Sequence, residues 1–214
     1  MKVEIWSDVM CPFCYIGKRK FEKALEQFPH KDKITVIWKS YQLDPDSVTD
    51  TSLNAIDHLA HRKGWSKEQA NEATQHVSGI AKEVGLEFHF EKAVVANSFD
   101  AHRLSHLAKK YNKQNDLEEK LFAAYFTEGK NTGDYNTLLQ IGKELNIDEK
   151  EITDVLNSEA FANEVNHDIM EAQQIGVRGV PFFVIDRKYA VSGAQEPDTF
   201  LNALTKAFEE HTPN

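Results

Sequence analysis

The segment Val3-Glu4-Ile5-Trp6-Ser7-Asp8 leads almost directly into Cys11-Pro12-Phe13-Cys14, and this junction indicates the fold class of the chain. The first run has the β-branched and aromatic residues of a strand. From Cys11 to Phe28 apolar residues recur at helical spacing, so the cysteine pair lies at the start of a helix. The sequence therefore predicts a strand followed directly by a helix that begins at a Cys-x-x-Cys motif.

The position of the cysteine pair has a chemical consequence. A helix N-terminus presents unsatisfied N–H groups and the positive end of the helix dipole, and both stabilise a thiolate. Pro12 fits the first helical turn because its missing N–H would have no partner there. Cys14, one turn further on, is close enough to attack a mixed disulfide on Cys11. We predict that Cys11 is the nucleophile and Cys14 the resolving thiol.

Two other interpretations of the pair stay open, namely half of a zinc site and a pair of inert core thiols. A zinc site takes four ligands, and the chain has only two cysteines. His102 with His106, and His58 with His61, have helical spacings that could present two ligands on one face. Because nine histidines make such pairs common in a chain of this length, we predict no metal site.

A second motif lies late in the chain, at Gly179-Val180-Pro181-Phe182-Phe183. A proline directly before a strand is unusual because it cannot donate to the sheet ladder. Pro181 is either an ordinary edge proline or part of a cis Val180–Pro181 bond, which would offer Val180 backbone groups to an extended peptide. Phe13, between the cysteines, is expected to be partly exposed. We expect substrate contacts at Phe13, Val180 and Pro181.

The rest of the chain divides into two kinds of pattern. Strand patterns cover residues 3–8, 34–40, 180–186 and 189–192, and Pro197 starts the last helix. The middle has helical periodicity with short loops, including a capping box at Ser66 and Gln69 and a helix opened by Ser158. The order predicts an α/β domain of residues 1–45 and 158–214, with residues 46–157 as a compact all-helical insertion.

Taken in order, these motifs resemble the thioredoxin superfamily and, within it, the FrnE-like group of DsbA-like proteins, which is related to 2-hydroxychromene-2-carboxylate isomerase. The resemblance lies in Ser7–Gly17, Tyr41–Pro45, Asn97–Leu104, Leu121–Phe126, Gly179–Phe183 and Ser192–Gln195. It implies a thioredoxin fold (β-α-β … α-β-β-α) with a large all-helical insertion, and thiol–disulfide exchange at Cys11 and Cys14 with Pro181 as the cis-proline. Asn97 and His102 become candidates for lining a groove between the helical insertion and the thioredoxin core.

Two differences from the family pattern limit what the resemblance implies. Periplasmic DsbA oxidants have histidine between the cysteines where this chain has Phe13, so strong oxidising power is not expected. The isomerase relatives typically have serine in place of the first cysteine and use glutathione, whereas the two cysteines here favour redox chemistry. A glutathione-dependent isomerase or transferase and a non-enzymatic client-binding module remain as alternatives.

Composition limits the partners and the location. The formal net charge of −9 does not favour binding to a phosphate backbone or to an anionic membrane surface. No window approaches the ~18 apolar residues of a membrane span, and the N-terminus lacks the apolar run of a signal peptide. We expect a cytoplasmic protein-disulfide oxidoreductase with no bound cofactor and with glutathione as a candidate electron partner. Its expected substrate is a protein or small molecule that carries a thiol or a disulfide.

Overall fold

The computed structural model describes residues 1–211, so the last three residues of the predicted 158–214 segment lie outside the described residues. The chain forms two compact units, Met1–Leu43 with Val165–Asn214, and Asp44–Glu164. Within the described part, none of the helices combines the length and the apolar content that a membrane crossing requires. The secondary-structure elements are, in chain order, β1 (Lys2–Ser7), α1 (Pro12–Gln27), β2 (Thr35–Ser40), β3 (Asp50–Asn54), α2 (Ala55–Lys63), α3 (Lys67–Glu83), β4 (Val94–Val95), α4 (Phe99–Lys110), α5 (Gln114–Phe126), α6 (Tyr135–Glu144), α7 (Glu149–Leu156), α8 (Ala162–Gln174), β5 (Phe182–Ile185), β6 (Tyr189–Ser192) and α9 (Pro197–His211).

The first unit is built on a four-stranded sheet in the order β2-β1-β5-β6. The central strand β1 runs parallel to β2 and antiparallel to β5, with Trp6 opposite Phe182. Every residue of β1 after Lys2 is buried, as its run of apolar residues predicts. The expected α/β order of β-α-β, a helical insertion and α-β-β-α is confirmed, and Pro197 begins the last helix as expected.

Aromatic rings from three elements pack together on one side of this sheet. Phe21 of α1 lies with its ring centroid 5.5 Å from that of Phe183 in β5 and 5.7 Å from that of Phe200 in α9. The rings of Phe183 and Phe200 meet edge to face at 4.6 Å. Such tilted contacts add to the burial of large apolar surfaces. They fix α1, and with it the cysteine-bearing helix start, against the sheet.

A buried polar network holds α8 to the strands. The indole Nε1 of Trp6 donates to the Asp168 carbonyl at 2.9 Å. The Asp168 carboxylate accepts from Lys39 Nζ at 2.7 Å and from the Ser40 N–H at 3.0 Å. Burial works against the Lys39 charge, but the carboxylates of Asp168 and Glu171 outweigh it and raise the pKa of Lys39. The network therefore pairs the buried charges of Lys39 and Asp168, each of which burial alone would disfavour.

The second unit is helical apart from the short pair of strands β3 and β4. Its core is formed by apolar side chains that are almost completely buried: Leu104, Leu107, Leu117, Leu121, Phe122, Phe126 and Leu138. The predicted capping box at Ser66 and Gln69 is confirmed. The short antiparallel pair of β3 and β4 was not expected from the sequence. The residues of β3 are mostly polar and β4 has only two residues, so neither has a strand pattern of its own.

The start of α8 corrects one expectation. Ser158 does not open this helix, which begins at Ala162. The buried guanidinium of Arg103 binds the carbonyls of Val155, Ser158 and Ala160, so these groups are held in a turn. Since this turn packs within the helical unit, the junction between the units falls at 164/165 instead of the expected 157/158. The first junction falls at 43/44 instead of 45/46.

Candidate active site

The cysteine pair lies where β1 ends and α1 begins. Cys11 is the N-cap residue of α1, and Pro12 occupies the first helical position as predicted. The Cys11 N–H donates to the Asp8 carbonyl at 3.0 Å, and the Cys14 N–H donates to the Cys11 carbonyl at 3.0 Å. Cys11 is 4% exposed and Cys14 is fully buried, and both are free thiols. Cys11 is therefore the thiol at the helix terminus, and Cys14 the one sheltered behind it.

The late proline motif lies directly beside Cys11. The Cys11 thiol donates to the Val180 carbonyl across 3.5 Å, and the Val180–Pro181 peptide bond is cis. Val180 is held in place because its side chain packs against a core cluster that includes Trp6 and Val177. Of the two interpretations of Pro181, the cis form is the one that the structure contains. Two motifs almost 170 residues apart thus meet at one atom pair.

A close approach of α1 makes this meeting possible. A Cβ atom on Gly17 would lie 2.9 Å from Cγ of Pro181 and 3.5 Å from atoms of Phe183 and Ala194. Contacts below 3.0 Å require something to move, so the absence of a side chain lets α1 pack against Pro181. Gly17 is a residue that the sequence interpretation did not select, although it lies one turn after Cys14.

The environment of Cys14 differs sharply from that of an exposed thiol. Burial raises the pKa of Cys14 well above its usual value, and the hydrogen bond and charge of Cys11 raise it further. The Ser7 hydroxyl and the backbone of Asp8 act in the opposite direction and lower it. Cys14 therefore holds its proton firmly, with Ser7 as the side chain that eases its release.

An open groove runs along the segment that contains the cis bond. Its volume is about 460 Å³, and it is lined by Gly176, Arg178, Gly179, Val180, Pro181, Phe182, Ser192 and Gly193. Phe13 is 41% exposed, which agrees with the expected partial exposure. Its contact with substrate, like those of Val180 and Pro181, remains a prediction.

A family model described as DSBA-like thioredoxin domain matches residues 2–205, which is nearly the whole chain. The chain belongs to this DsbA-like family. The family match and the structures related to it confirm the resemblance inferred from the motifs. The narrower FrnE-like assignment remains a prediction.

Several solved structures are similar to this DsbA-like protein. A probable DsbA oxidoreductase, SCO1869 from Streptomyces coelicolor, is 38% identical with a TM-score of 0.92, over 100% of this chain and 92% of that one. 2-Hydroxychromene-2-carboxylate isomerase is 15% identical with a TM-score of 0.73, over 99% and 98%. The cytosolic disulfide reductase DsbM from Pseudomonas aeruginosa, solved with GSH, is 16% identical with a TM-score of 0.68, over 98% and 100%. At these identities the last two show the fold alone.

Asn97 and His102 lie in the helical unit of the DsbA-like chain. The Asn97 side chain donates to the carbonyls of Pro45 and Ser47 and accepts from the Phe99 N–H at 2.9 Å. These bonds give Asn97 a structural role, because they tie the preceding loop to the start of α4. His102 lies within α4 and is 3% exposed. A groove-lining role for either residue remains a prediction.

The groups that could hold a metal ion do not include the histidine pairs singled out from the sequence. Among residues 1–211, the cluster of three candidate ligands is His167, Asp168 and Glu171. Lys39 Nζ lies 2.7 Å from the Asp168 carboxylate and 3.0 Å from that of Glu171, so both acids already have a cation. The expectation that the protein uses no metal remains a prediction.

Gly17→Ala tests the contact between α1 and Pro181. The added methyl group overpacks this site, so we expect a loss of about 1–3 kcal/mol in the free energy of unfolding and slower disulfide exchange. Denaturant titration and an exchange assay measure the two effects. Gly79→Ala is the matched control, since a Cβ there meets nothing within 4 Å and Gly79 lies inside α3.

The control should gain about 0.5–1 kcal/mol from the higher helix propensity of alanine, with no change in exchange. Equal stability and equal exchange rates for the wild-type and Gly17→Ala proteins would show that α1 does not need this close approach.

Proposed function

We propose that this DsbA-like protein is a dithiol–disulfide oxidoreductase in which Cys11 is the nucleophile and Cys14 the resolving thiol. The observation that carries the proposal is the 3.5 Å contact between Cys11 Sγ and the Val180 carbonyl. It places the thiol at the helix terminus beside the groove-lining residues Val180 and Pro181. A substrate disulfide in this groove would lie next to the sulfur that attacks it.

The reaction has two exchange steps. The Cys11 thiolate attacks one substrate sulfur, the substrate S–S bond breaks, and the leaving sulfur departs as a thiolate that takes up a proton. Cys14 then loses its proton and attacks Cys11 Sγ, which releases the second substrate thiol. The substrate gains two electrons and two protons, and the enzyme is left with a Cys11–Cys14 disulfide. The reverse sequence oxidises a dithiol substrate.

The raised pKa of Cys14 supports this division of roles. Because its pKa is raised, Cys14 stays protonated while Cys11 reacts, and the two sulfurs are not charged at the same time. Once Cys11 is in a mixed disulfide, its charge no longer opposes ionisation of Cys14. The resolving thiol is therefore released for attack by the same step that creates its target.

The backbone around Val180 supports binding of an extended chain. Within residues 1–211 the Val180 N–H donates to no acceptor, and it belongs to a segment that lines the groove. A peptide laid along this segment would supply the missing acceptor in the manner of an added strand. Phe13, between the two cysteines, is the proposed apolar contact for the substrate.

The electron partner and the location are part of the proposal. The likeness to DsbM, which was solved with GSH, agrees with glutathione as the electron partner of this chain. We keep a thiol- or disulfide-bearing protein or small molecule as substrate, and the cytoplasm as the location. An isomerase or transferase would not need the resolving thiol, and the buried Cys14 beside Cys11 favours exchange over that alternative.

Substitution of each cysteine separates the two roles. Cys11→Ser removes the attacking sulfur, so reduction of insulin by the enzyme should fall by a factor on the order of 100 or more. Cys14→Ser keeps the first step and loses the second, so mixed disulfides should accumulate and be visible by non-reducing mass spectrometry. Full activity of the Cys11→Ser protein would refute the mechanism, and full turnover without Cys14 would favour the isomerase-type alternative.

The pH dependence of the second step tests the role of Ser7. Resolution needs the Cys14 thiolate, so the rate of substrate release from a preformed Cys11 mixed disulfide should rise with pH. Ser7→Ala removes a hydroxyl that lowers the pKa of Cys14, so the pKa rises and the rate profile moves to higher pH. Stopped-flow release measures this shift.

Thr35→Ala is the control for that experiment, because it removes an exposed hydroxyl from the neighbouring strand β2. Its profile should match that of the wild-type protein. A Ser7→Ala profile that is unchanged, or that moves to lower pH, would show that Ser7 does not assist ionisation of Cys14.

A further inference from the structure

One charged side chain lines the groove beside the cis bond. Of the eight lining residues, Arg178 alone is ionisable, and three others are glycines. Its side chain is exposed, and it forms no ion pair within its own unit as far as the structure describes it. The groove therefore presents one positive charge that no carboxylate of the described residues neutralises.

The other arginines of the chain are all paired. In the same unit, Arg19 lies 2.9 Å from Glu22 and Arg187 lies 2.6 Å from Glu171. In the helical unit, Arg62 and Arg103 bind the carboxylates of Asp44 and Asp100. The chain has 34 acidic residues, so an arginine without a partner is the exception in this protein. That exception coincides with the groove next to the reactive sulfur.

The walls of the groove leave room for a peptide backbone. A Cβ added at Gly176 or Gly179 would meet no atom within 4 Å, so these positions face open space. The volume of about 460 Å³ is within the range of pockets that hold ligands the size of a short peptide. The Val180 N–H, which has no acceptor within residues 1–211, provides a point of main-chain attachment.

We propose that Arg178 makes this groove selective for peptide thiols and disulfides that carry a carboxylate close to the reacting cysteine. The inference rests on the proposed function, because it places the substrate sulfur at Cys11. Arg178 precedes Val180 by two residues, and an extended chain advances about 3.3 Å per residue. A substrate strand paired with Val180 would then place a side chain about two positions from its cysteine alongside Arg178.

The guanidinium group suits this task. It offers a planar set of donors that binds both oxygens of a carboxylate, and it stays charged at all physiological pH values. A lysine side chain in the same substrate position would meet like charge and would be disfavoured. Because Arg178 is exposed, the interaction should weaken as salt screens it.

The test uses the full-length protein and short peptides whose cysteine carries a neutral 2-pyridyl disulfide. The peptides are identical except for Glu, Gln or Lys two positions from the cysteine, and release of thiopyridine gives kcat/KM. For the wild-type protein at low salt we expect kcat/KM for the Glu peptide to exceed that for the Lys peptide about tenfold. Added salt should reduce this ratio.

Arg178→Gln should bring the ratio close to one, and Arg178→Glu should invert it. Lys23→Gln is the matched control, because it removes an exposed charge from α1 outside the groove and should leave the ratio unchanged. If tripeptides already show the higher kcat/KM for Glu over Lys, a small peptide is a sufficient ligand. If only longer peptides show this difference between Glu and Lys, the ligand is a segment of a protein chain.

Two results would contradict the proposal, and they differ from a failure of the proposed function. Equal kcat/KM for the Glu and Lys peptides in the wild-type protein would overturn it, as would a ratio that survives in Arg178→Gln. Absence of exchange with the Gln peptide and with neutral hydroxyethyl disulfide would instead refute the oxidoreductase function itself. The salt dependence of the Glu-to-Lys ratio of kcat/KM in the wild-type protein provides a test that does not rely on any variant.

Discussion

The antiparallel pairing of β1 with β5 is the constraint on which the site depends. Trp6, near the end of β1, lies opposite Phe182, the first residue of β5. Because the strands run in opposite directions, the chain that leaves β1 and the chain that enters β5 lie at the same end of these two strands. The first carries Cys11 and the second carries Val180 and Pro181. A shift of one residue in this register would turn the paired side chains to opposite faces and separate the two motifs.

The proposed chemistry depends on a difference in environment between two identical side chains. Cys11 lies at a helix terminus beside an open groove, whereas Cys14 is fully buried and holds its proton. In the proposed mechanism, Cys11 reacts with the substrate and Cys14, one turn away, reacts only in the second step. Within residues 1–211, the same end of the sheet carries a backbone donor and an arginine that have no partner. The proposed sulfur chemistry and the proposed substrate recognition therefore share a short segment of chain.

Local patterns in the sequence were sufficient for most of the fold. The Cys-Pro-Phe-Cys run after a strand, the capping box at Ser66 and the helix start at Pro197 depend on neighbouring residues, so they could be predicted. The start of α8 could not, because Arg103 determines it through carbonyls more than 50 residues away. The fit of Gly17 against Pro181 depends likewise on a distant partner. The Cys-x-x-Cys spacing alone marks the two cysteines as candidate site residues, but only the folded chain shows which side chains surround them.

In the proposed mechanism, the two thiols of the reduced protein differ in reactivity because of their positions. Brief alkylation with iodoacetamide at neutral pH, followed by peptide mass spectrometry, measures the rate at each cysteine separately. We predict that Cys11 is modified first and that Cys14 is protected until the protein unfolds. Modification of Cys14 at the same rate as Cys11, or faster, would contradict it.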